Sequence, residues 1–384
     1  MLIRHLNPLT SHSFFLFGAR GTGKTSLLKE TFANTKTLWI DLLRGQSELQ
    51  FSEDPDSLSS MIDKQVPEWV IIDEVQKIPK LLDIVHLEIE RRNTKFALTG
   101  SSARKLKRGA ANLLAGRAFV YQLYPFTHLE LGDTFDLALA LQWGALPRIL
   151  SCSSDEERTL FLESYVESYL KEEIFQEQLT RKIIPFRKFL KIAAQANGTI
   201  VNFSNIAKDI AIDSNTVKTY FDILEDTLVG FYLPATDTSF RKQQIKSPKF
   251  YLFDTGVKRA IEGVSHLPII SAQEFGINFE HWLITELYKL NSYTRGGYEF
   301  SYLRTRGGLE IDLILRKPRE KDIFIEIKST SRVRSEHLAH LVSVKREHPS
   351  ARCICLSQEV EARIIDGVEV LPWQMGFGEL GLVF

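Results

Sequence analysis

Three cysteines are all that the 384 residues carry, and Cys152, Cys353 and Cys355 are spaced for neither a zinc site nor a disulfide framework. A reducing compartment is the simplest inference. Net charge is also missing, since 48 Lys and Arg balance 48 Asp and Glu. No global basic footprint therefore exists for nucleic acid or membrane, and any such patch must be local. No run approaches the roughly 18 uninterrupted apolar residues of a spanning helix, and the opening MLIRHLNPLTSHS has no long apolar segment. The expectation is a cytoplasmic protein without a membrane partner. What is present is ordinary for a globular chain, at 44% hydrophobic and 25% charged. It gives a sizeable core over a length that suggests roughly two to three domains.

Against that background one stretch stands out. Ser13 to Leu28, SFFLFGARGTGKTSLL, runs from an apolar strand through a glycine-rich turn into a helical pattern. Gly18, Gly23, Lys24 and Thr25 satisfy G-x-x-x-x-G-K-[ST]. Glycines let backbone N–H groups wrap a triphosphate, a lysine reaches its β- and γ-oxygens, and the threonine hydroxyl is placed for Mg²⁺ above a helix N-terminus that favours anions. The expected nucleotide contacts are Gly18, Ala19, Arg20, Gly21, Thr22, Gly23, Lys24, Thr25 and Ser26, with ATP and Mg²⁺ as cofactors.

Thr37 to Leu43 reads as a second strand, and Glu68 to Glu74, EWVIIDE, as a third that ends in two carboxylates. At this distance from a phosphate loop, Asp73 is expected to join the Mg²⁺ shell and Glu74 to polarise the attacking water. Lys95 to Thr99 gives another strand, after which Ser101 is placed to sense the γ-phosphate. A helical segment with Arg104, Lys105, Leu106, Lys107, Arg108, Leu113 and Leu114 precedes the strand Ala118 to Leu123. In this order GARGTGKT, VIIDEVQKIP, LTGSSARKL and LLAGRAFVYQLYPFT resemble prokaryotic AAA+ ATPases that carry an uncharacterised C-terminal region. The resemblance places Arg117 where that superfamily keeps an arginine acting on a neighbour's nucleotide, which implies a homo-oligomer. The alternative is a cation at a helix C-terminus interacting with the dipole.

From Phe135 to Asn197 the pattern is helical, with Trp143, Leu146 and Pro147 in an apolar knot and an acidic amphipathic run from Asp155 to Glu177. WGALPRIL and YVESYLKEEI look like the lid and linker of the same ATPases. Phe203 to Leu228 has helix-turn-helix spacing, with a turn at Ala211 to Asp213 and a second helix capped by Asp213 or Ser214. As a DNA reader this helix would present Asn215, Thr216, Lys218 and Thr219. Its far end is acidic at Asp222, Glu225 and Asp226, and winged helices also serve as protein-binding modules. Arg241, Lys242, Lys246 and Lys249 follow in a segment that could form a wing and meet phosphates.

Farther on, Phe279 to Lys289 reads as an amphipathic helix carrying Glu280 and Glu286, and Leu309 to Leu315 and Ile323 to Ile327 alternate as two strands. A turn centred on Arg319 sets Asp312 opposite Glu326 and Glu310 opposite Lys328, with Ile311, Leu313, Ile325 and Ile327 on the other face. A Glu310–Lys328 pair is the simplest use of such a face. Like charges at Asp312 and Glu326 are unfavourable without a cation, so a divalent metal would resolve them. IDLIL followed by FIEIK resembles the D…E-x-K signature of restriction-endonuclease-like, PD-(D/E)XK, nucleases, although Ile311 stands where that name has proline. The resemblance implies that Asp312 and Glu326 hold Mg²⁺ or Mn²⁺, that Glu280 assists, and that Lys328 orients or activates water.

The expected fold is α/β. It comprises a P-loop AAA+ parallel sheet with helices on both faces (residues 1–130), a helical lid and linker (131–198), a winged helix-turn-helix (199–267) and an α/β restriction-endonuclease-like domain (268–384). The expected function is ATP hydrolysis coupled to action on DNA. The alternative is a nucleotide-gated switch or scaffold that binds a protein partner or nucleic acid through a non-cleaving tail.

Overall fold

The computed structural model describes residues 3–102, 114, 116–170, 183–236 and 245–383. The basic helical segment 104–113, the far end of the acidic run (171–177) and Arg241 and Lys242 lie outside the described residues.

β1 (Ser13–Phe17) is buried at every position, as an apolar run must be when helices cover both faces of a parallel sheet. Phe15 and Phe17 pack with Val70, Ile72 and Leu98 on one side, and Phe14 and Leu16 with Leu28, Ile71 and Ala97 on the other. With β2 (Thr37–Asp41), β3 (Trp69–Asp73), β4 (Lys95–Gly100) and β5 (Ala118–Gln122) it forms a five-stranded sheet ordered β2-β3-β4-β1-β5. Every pairing is parallel, so the C-terminal ends of the strands share one edge. α1 (Lys24–Thr31) rises from that edge, between α2 (Gly45–Glu53), α3 (Ser57–Gln65) and α4 (Leu81–Arg92) in chain order and β1 before it.

The chain then turns helical through α5 (His128–Leu131), α6 (Leu137–Trp143), α7 (Pro147–Leu150) and α8 (Asp155–Ser164), which continues as a π-helix over Tyr165–Leu170. α9 (Ile183–Gln195), α10 (Phe203–Ile210) and α11 (Ser214–Asp226) follow, then the antiparallel pair β6 (Gly230–Leu233) and β7 (Lys249–Leu252), and α12 (Thr255–Glu262). Ala211 closes α10 with a left-handed backbone, and Asp213 caps α11 by accepting from Thr216 N–H. One core joins Leu146, Leu162, Phe189, Phe221 and Val257, so residues on both sides of the expected 198/199 boundary share it.

The C-terminal part starts with α13 (Ala272–Tyr293). Against it lies a mixed sheet ordered β12-β13-β11-β10-β9-β8, built from β8 (Glu299–Arg304), β9 (Glu310–Arg316), β10 (Ile323–Lys328), β11 (Arg352–Ser357), β12 (Arg363–Ile365) and β13 (Val368–Pro372). α14 (Ala339–Glu347) and α15 (Trp373–Glu379) complete it. Two expectations are corrected here. α13 is not amphipathic, because its buried residues run from Asn278 through Leu290 around several faces. Ile311 does not share a core with Leu313. A β-bulge opposite Tyr302, between the pairs Ser301↔Ile314 and Leu303↔Ile311, inserts one residue into β9 and turns Ile311 to the Ile314 and Phe324 side. The hairpin register itself is the expected one over Leu315↔Ile323, Ile314↔Phe324 and Leu313↔Ile325.

α13 also ties the modules together. Buried Glu286 accepts from His128 N–H at 2.6 Å, lies 2.8 Å from His128 Nδ1, and pairs with Lys289 at 3.2 Å. Tyr293 OH accepts from Tyr124 N–H at 2.9 Å just after β5. Among the described residues no helix is long and apolar enough to cross a membrane.

Candidate functional site

The loop between β1 and α1 has the shape of an anion cradle. Gly21 and Gly23 take φ of 82° and 96°, a left-handed region open to glycine without strain. A Cβ on Gly18 would come within 2.4 Å of Leu123 O. Lys24 is 6% exposed and donates from Nζ to Gly18 O at 2.8 Å, so its cation lies along the loop. No side chain caps α1, which leaves its first N–H groups facing the loop for a ligand to meet. A cavity of about 340 Å³ adjoins the loop, lined by Arg4, Thr22, Ser26, Leu27, Phe126 and Pro147 among others.

Asp73, at the end of β3, is held from two sides. Thr25 Oγ1 donates to its Oδ2 at 2.8 Å and Thr99 Oγ1 donates to its Oδ1. Glu74 follows in a left-handed backbone (φ 60°, ψ 47°), uncommon for a residue with a side chain, and its N–H donates to Thr99 Oγ1 at 3.1 Å. Gln76 Nε2 donates both to the Glu74 carboxylate and to Ser101 Oγ. Gly18, Lys24, Thr25, Asp73, Glu74 and Ser101 are thereby gathered at one sheet edge. Ala19 and Arg20 carry the loop toward the helical module, and Ser26 is exposed on α1. Arg117 stands apart, paired with Glu90 of α4 in the same chain, and its guanidinium holds the Glu90 carboxyl below the usual range. Thr99 and Gln76 were not foreseen. The sequence signal available for Thr99 was only its place at the end of a buried strand.

Residues 10–132 match the family described as AAA domain. The chain thus carries an AAA-type ATPase domain on the sheet that holds the loop. Residues 134–267 match the Domain of unknown function (DUF8612), and residues 275–375 match the Domain of unknown function (DUF4143). An uncharacterized protein of Mycobacterium tuberculosis is 25% identical over 319 residues, which are 82% of this chain and 70% of that protein. An uncharacterized protein of Haemophilus influenzae is 21% identical over 383 residues, covering 92% and 91%. Among solved structures, the replication initiator DnaA bound to AMPPCP and single-stranded DNA aligns over 56% of this chain and 82% of its own at 13% identity. Its TM-score is 0.29.

In the DUF4143 region Asp312 lies within electrostatic reach of both Glu280 and Glu326, with partners that sequence reading missed. Burial, then the Asp312 charge, raise the carboxyl of Glu280 well above its usual range, while Lys249 and the Tyr251 hydroxyl oppose the rise. Tyr251 OH donates to Glu280 Oε1 at 2.9 Å. Lys249 pairs with Glu310 at 2.9 Å. Burial would depress its ammonium, but Glu280, Asp312 and Glu310 outweigh it and raise it. Asp312 Oδ2 accepts from Ile327 N–H at 2.9 Å. Glu326 pairs with Lys328 at 2.6 Å and lies 3.4 Å from His340, and burial followed by Asp312 raises its carboxyl.

Two expectations fail here. Glu310 and Lys328 do not pair with each other, because Lys249 and Arg304 take Glu310 while Lys328 turns to Glu326. Lys249 does not face phosphates, being 3% exposed with its ammonium over the Tyr302 ring. Among the described residues no group of three or more His, Cys, Asp or Glu side chains is arranged to hold a metal ion. The alternation that puts Lys249 and Tyr251 on one face of β7 was readable in KFYLF; their reach across to α13 and β9 was not.

Proposed function

We propose that the chain binds Mg·ATP at the loop Gly18–Thr25 and hydrolyses it. The observation that carries this reading is the Thr25–Asp73 contact, which places a hydroxyl and a carboxylate side by side at the mouth of an uncapped helix, with Lys24 buried against the loop. Backbone N–H groups and Lys24 would bind the phosphates, and Thr25 and Asp73 would hold the ion. When bound there, Mg²⁺ would supply positive charge to offset that of the phosphates. Glu74 is the group to take a proton from water as its oxygen bonds to the γ-phosphorus and the bond to the β-phosphate oxygen breaks, leaving ADP and phosphate. Ser101 sits beside Glu74 through Gln76, which suits a γ-phosphate sensor. Direct titration of Mg·ATP into the full chain, with phosphate release measured in parallel, tests the reading; no binding to wild type would end it.

For the rest of the chain the geometry supports binding over cleavage. Asn215, Lys218 and Thr219 are exposed at the start of α11, as a DNA contact requires, while Thr216 is engaged with Asp213. At the C-terminal cluster, Lys249 and Lys328 already supply cations to Glu280, Glu310, Asp312 and Glu326. As arranged, these residues do not fit a metal. This favours the nucleotide-gated binding protein with a non-cleaving tail. A nuclease assay with Mg²⁺ and Mn²⁺ on single- and double-stranded DNA and RNA decides it, since metal-dependent cutting lost in Lys328→Ala would restore the nuclease reading.

A further inference from the structure

The phosphate loop does not stand alone on its sheet. Ala19 belongs to the hydrophobic core of the helical module, with Trp143, Leu146, Ile149, Leu162 and Tyr165. Tyr165, 1% exposed at the end of α8, lays its ring beside Gly21, where an added Cβ would lie 3.5 Å from Cε2. Its hydroxyl donates to Arg20 O at 2.8 Å. Among the described residues no peptide bond is cis, so within the planar trans unit joining Arg20 to Gly21 the C=O and N–H point in opposite directions. Fixing the carbonyl on Tyr165 therefore turns the Gly21 N–H to the side away from Tyr165. That N–H meets no acceptor among the described residues, and Thr22 N–H closes the neighbouring turn onto Ala19 O at 3.3 Å.

We infer that Tyr165 is a positioning residue for nucleotide binding, a hydroxyl of the helical module that orients the Gly21 N–H toward the phosphates. The inference rests on the ATP reading above and adds a link that the loop motif does not contain. Because the tie joins α8 to the loop, occupancy of the loop and order in α8 favour each other, as linkage requires.

The test compares wild type, Tyr165→Phe and Tyr165→Leu in the full chain by calorimetric titration with Mg·ATP and with tripolyphosphate. Tyr165→Phe keeps the ring and removes the hydroxyl that donates to Arg20 O. Its affinity should fall about five- to tenfold for both ligands, the change expected for one net hydrogen bond, with kcat at saturation unchanged. Hydrogen exchange over residues 155–164 should slow on adding Mg·ATP to wild type and respond much less in Tyr165→Phe. A role in packing alone would instead leave Tyr165→Phe like wild type and impair only Tyr165→Leu. Wild type and Tyr165→Phe binding Mg·ATP equally overturns this inference alone, whereas a wild type that binds no nucleotide overturns the ATP reading and this inference with it.

Discussion

The Thr25 hydroxyl and the Asp73 carboxylate meet at 2.8 Å across 48 positions of sequence, joining the first turn of α1 to the last residue of β3. Thr99 reaches the other Asp73 oxygen from β4, so three secondary-structure elements fix one carboxylate. An acidic group held in this way needs little reorganisation to accept a cation.

Thr25→Val keeps the side-chain shape and leaves Asp73 Oδ2 without its donor. Loss of a hydrogen bond to a charged group should lower the stability of the ligand-free chain by about 1–3 kcal/mol, read as a lower denaturant midpoint. Mg²⁺-dependent ATP turnover should disappear as well. A variant with wild-type turnover would remove Thr25 from the site.

Lys24→Ala should abolish ATP binding, because the buried cation along the loop is gone. Glu74→Gln should bind ATP as wild type does and lose turnover, since the amide cannot take a proton while Thr25 and Asp73 remain. If Glu74→Gln released phosphate at the wild-type rate, another group would have to polarise the water.

The AAA-type domain was readable because its signals are local: a glycine-rich turn between strand and helix, and a carboxylate pair at the end of an apolar strand. The hairpin register was equally accessible, as symmetry about Arg319 fixed which residues face each other. The bulge in β9 was not, since nothing in IDLIL marks the extra residue that sends Ile311 to the opposite core. Lys249, Tyr251 and Tyr165 escaped for a different reason. Each acts across a module boundary, and strand or helix periodicity says which way a side chain points but not what stands opposite.

Arg117 is half-buried and paired with Glu90 within its own chain. If it serves a neighbouring copy, the specific activity per chain should rise with protein concentration. Arg117→Ala should then bind nucleotide while losing up to about 10³-fold or more in rate. Glu90→Ala removes the Arg117–Glu90 pair and should leave that concentration dependence intact. Turnover independent of concentration in a stable monomer would rule out the role in trans.

His281 gives a pH signature. It is 1% exposed, its Nε2 lies 2.6 Å from Leu252 O, and burial pushes its pKa down to about 3 from the usual 6.5. Between those two values the unfolded chain binds more protons at this site than the folded one. Stability is therefore fully present above pH 6.5 and is lost as pH falls through the window. From pH 7 to pH 5 the loss should be about 2 kcal/mol. His281→Gln retains an N–H donor without the titration, and denaturant melts should show it losing less over that interval. Parallel pH profiles for the two proteins would exclude His281 as the source.

Lys249 decides between the two readings of the C-terminal cluster. Its ammonium pairs with Glu310 and neutralises Glu280 and Asp312 from a side chain 4% exposed. Lys249→Met keeps the aliphatic stem and removes this cation, leaving Glu310 with Arg304 and Asp312 with Lys328. Breaking a buried pair from one side should cost about 3–5 kcal/mol, and adding Glu310→Gln should recover part of it in a double-mutant cycle. Mn²⁺ then separates the cases. If the lysine stands in for a metal, Mn²⁺ should raise the melting temperature of Lys249→Met and leave wild type nearly unchanged, because only the variant has carboxylates free to take the ion. If the cluster is instead a metal site that Lys249 merely flanks, wild type should show the larger shift and Asp312→Asn should lose it. A larger shift in wild type than in Lys249→Met would return the cluster to the nuclease reading.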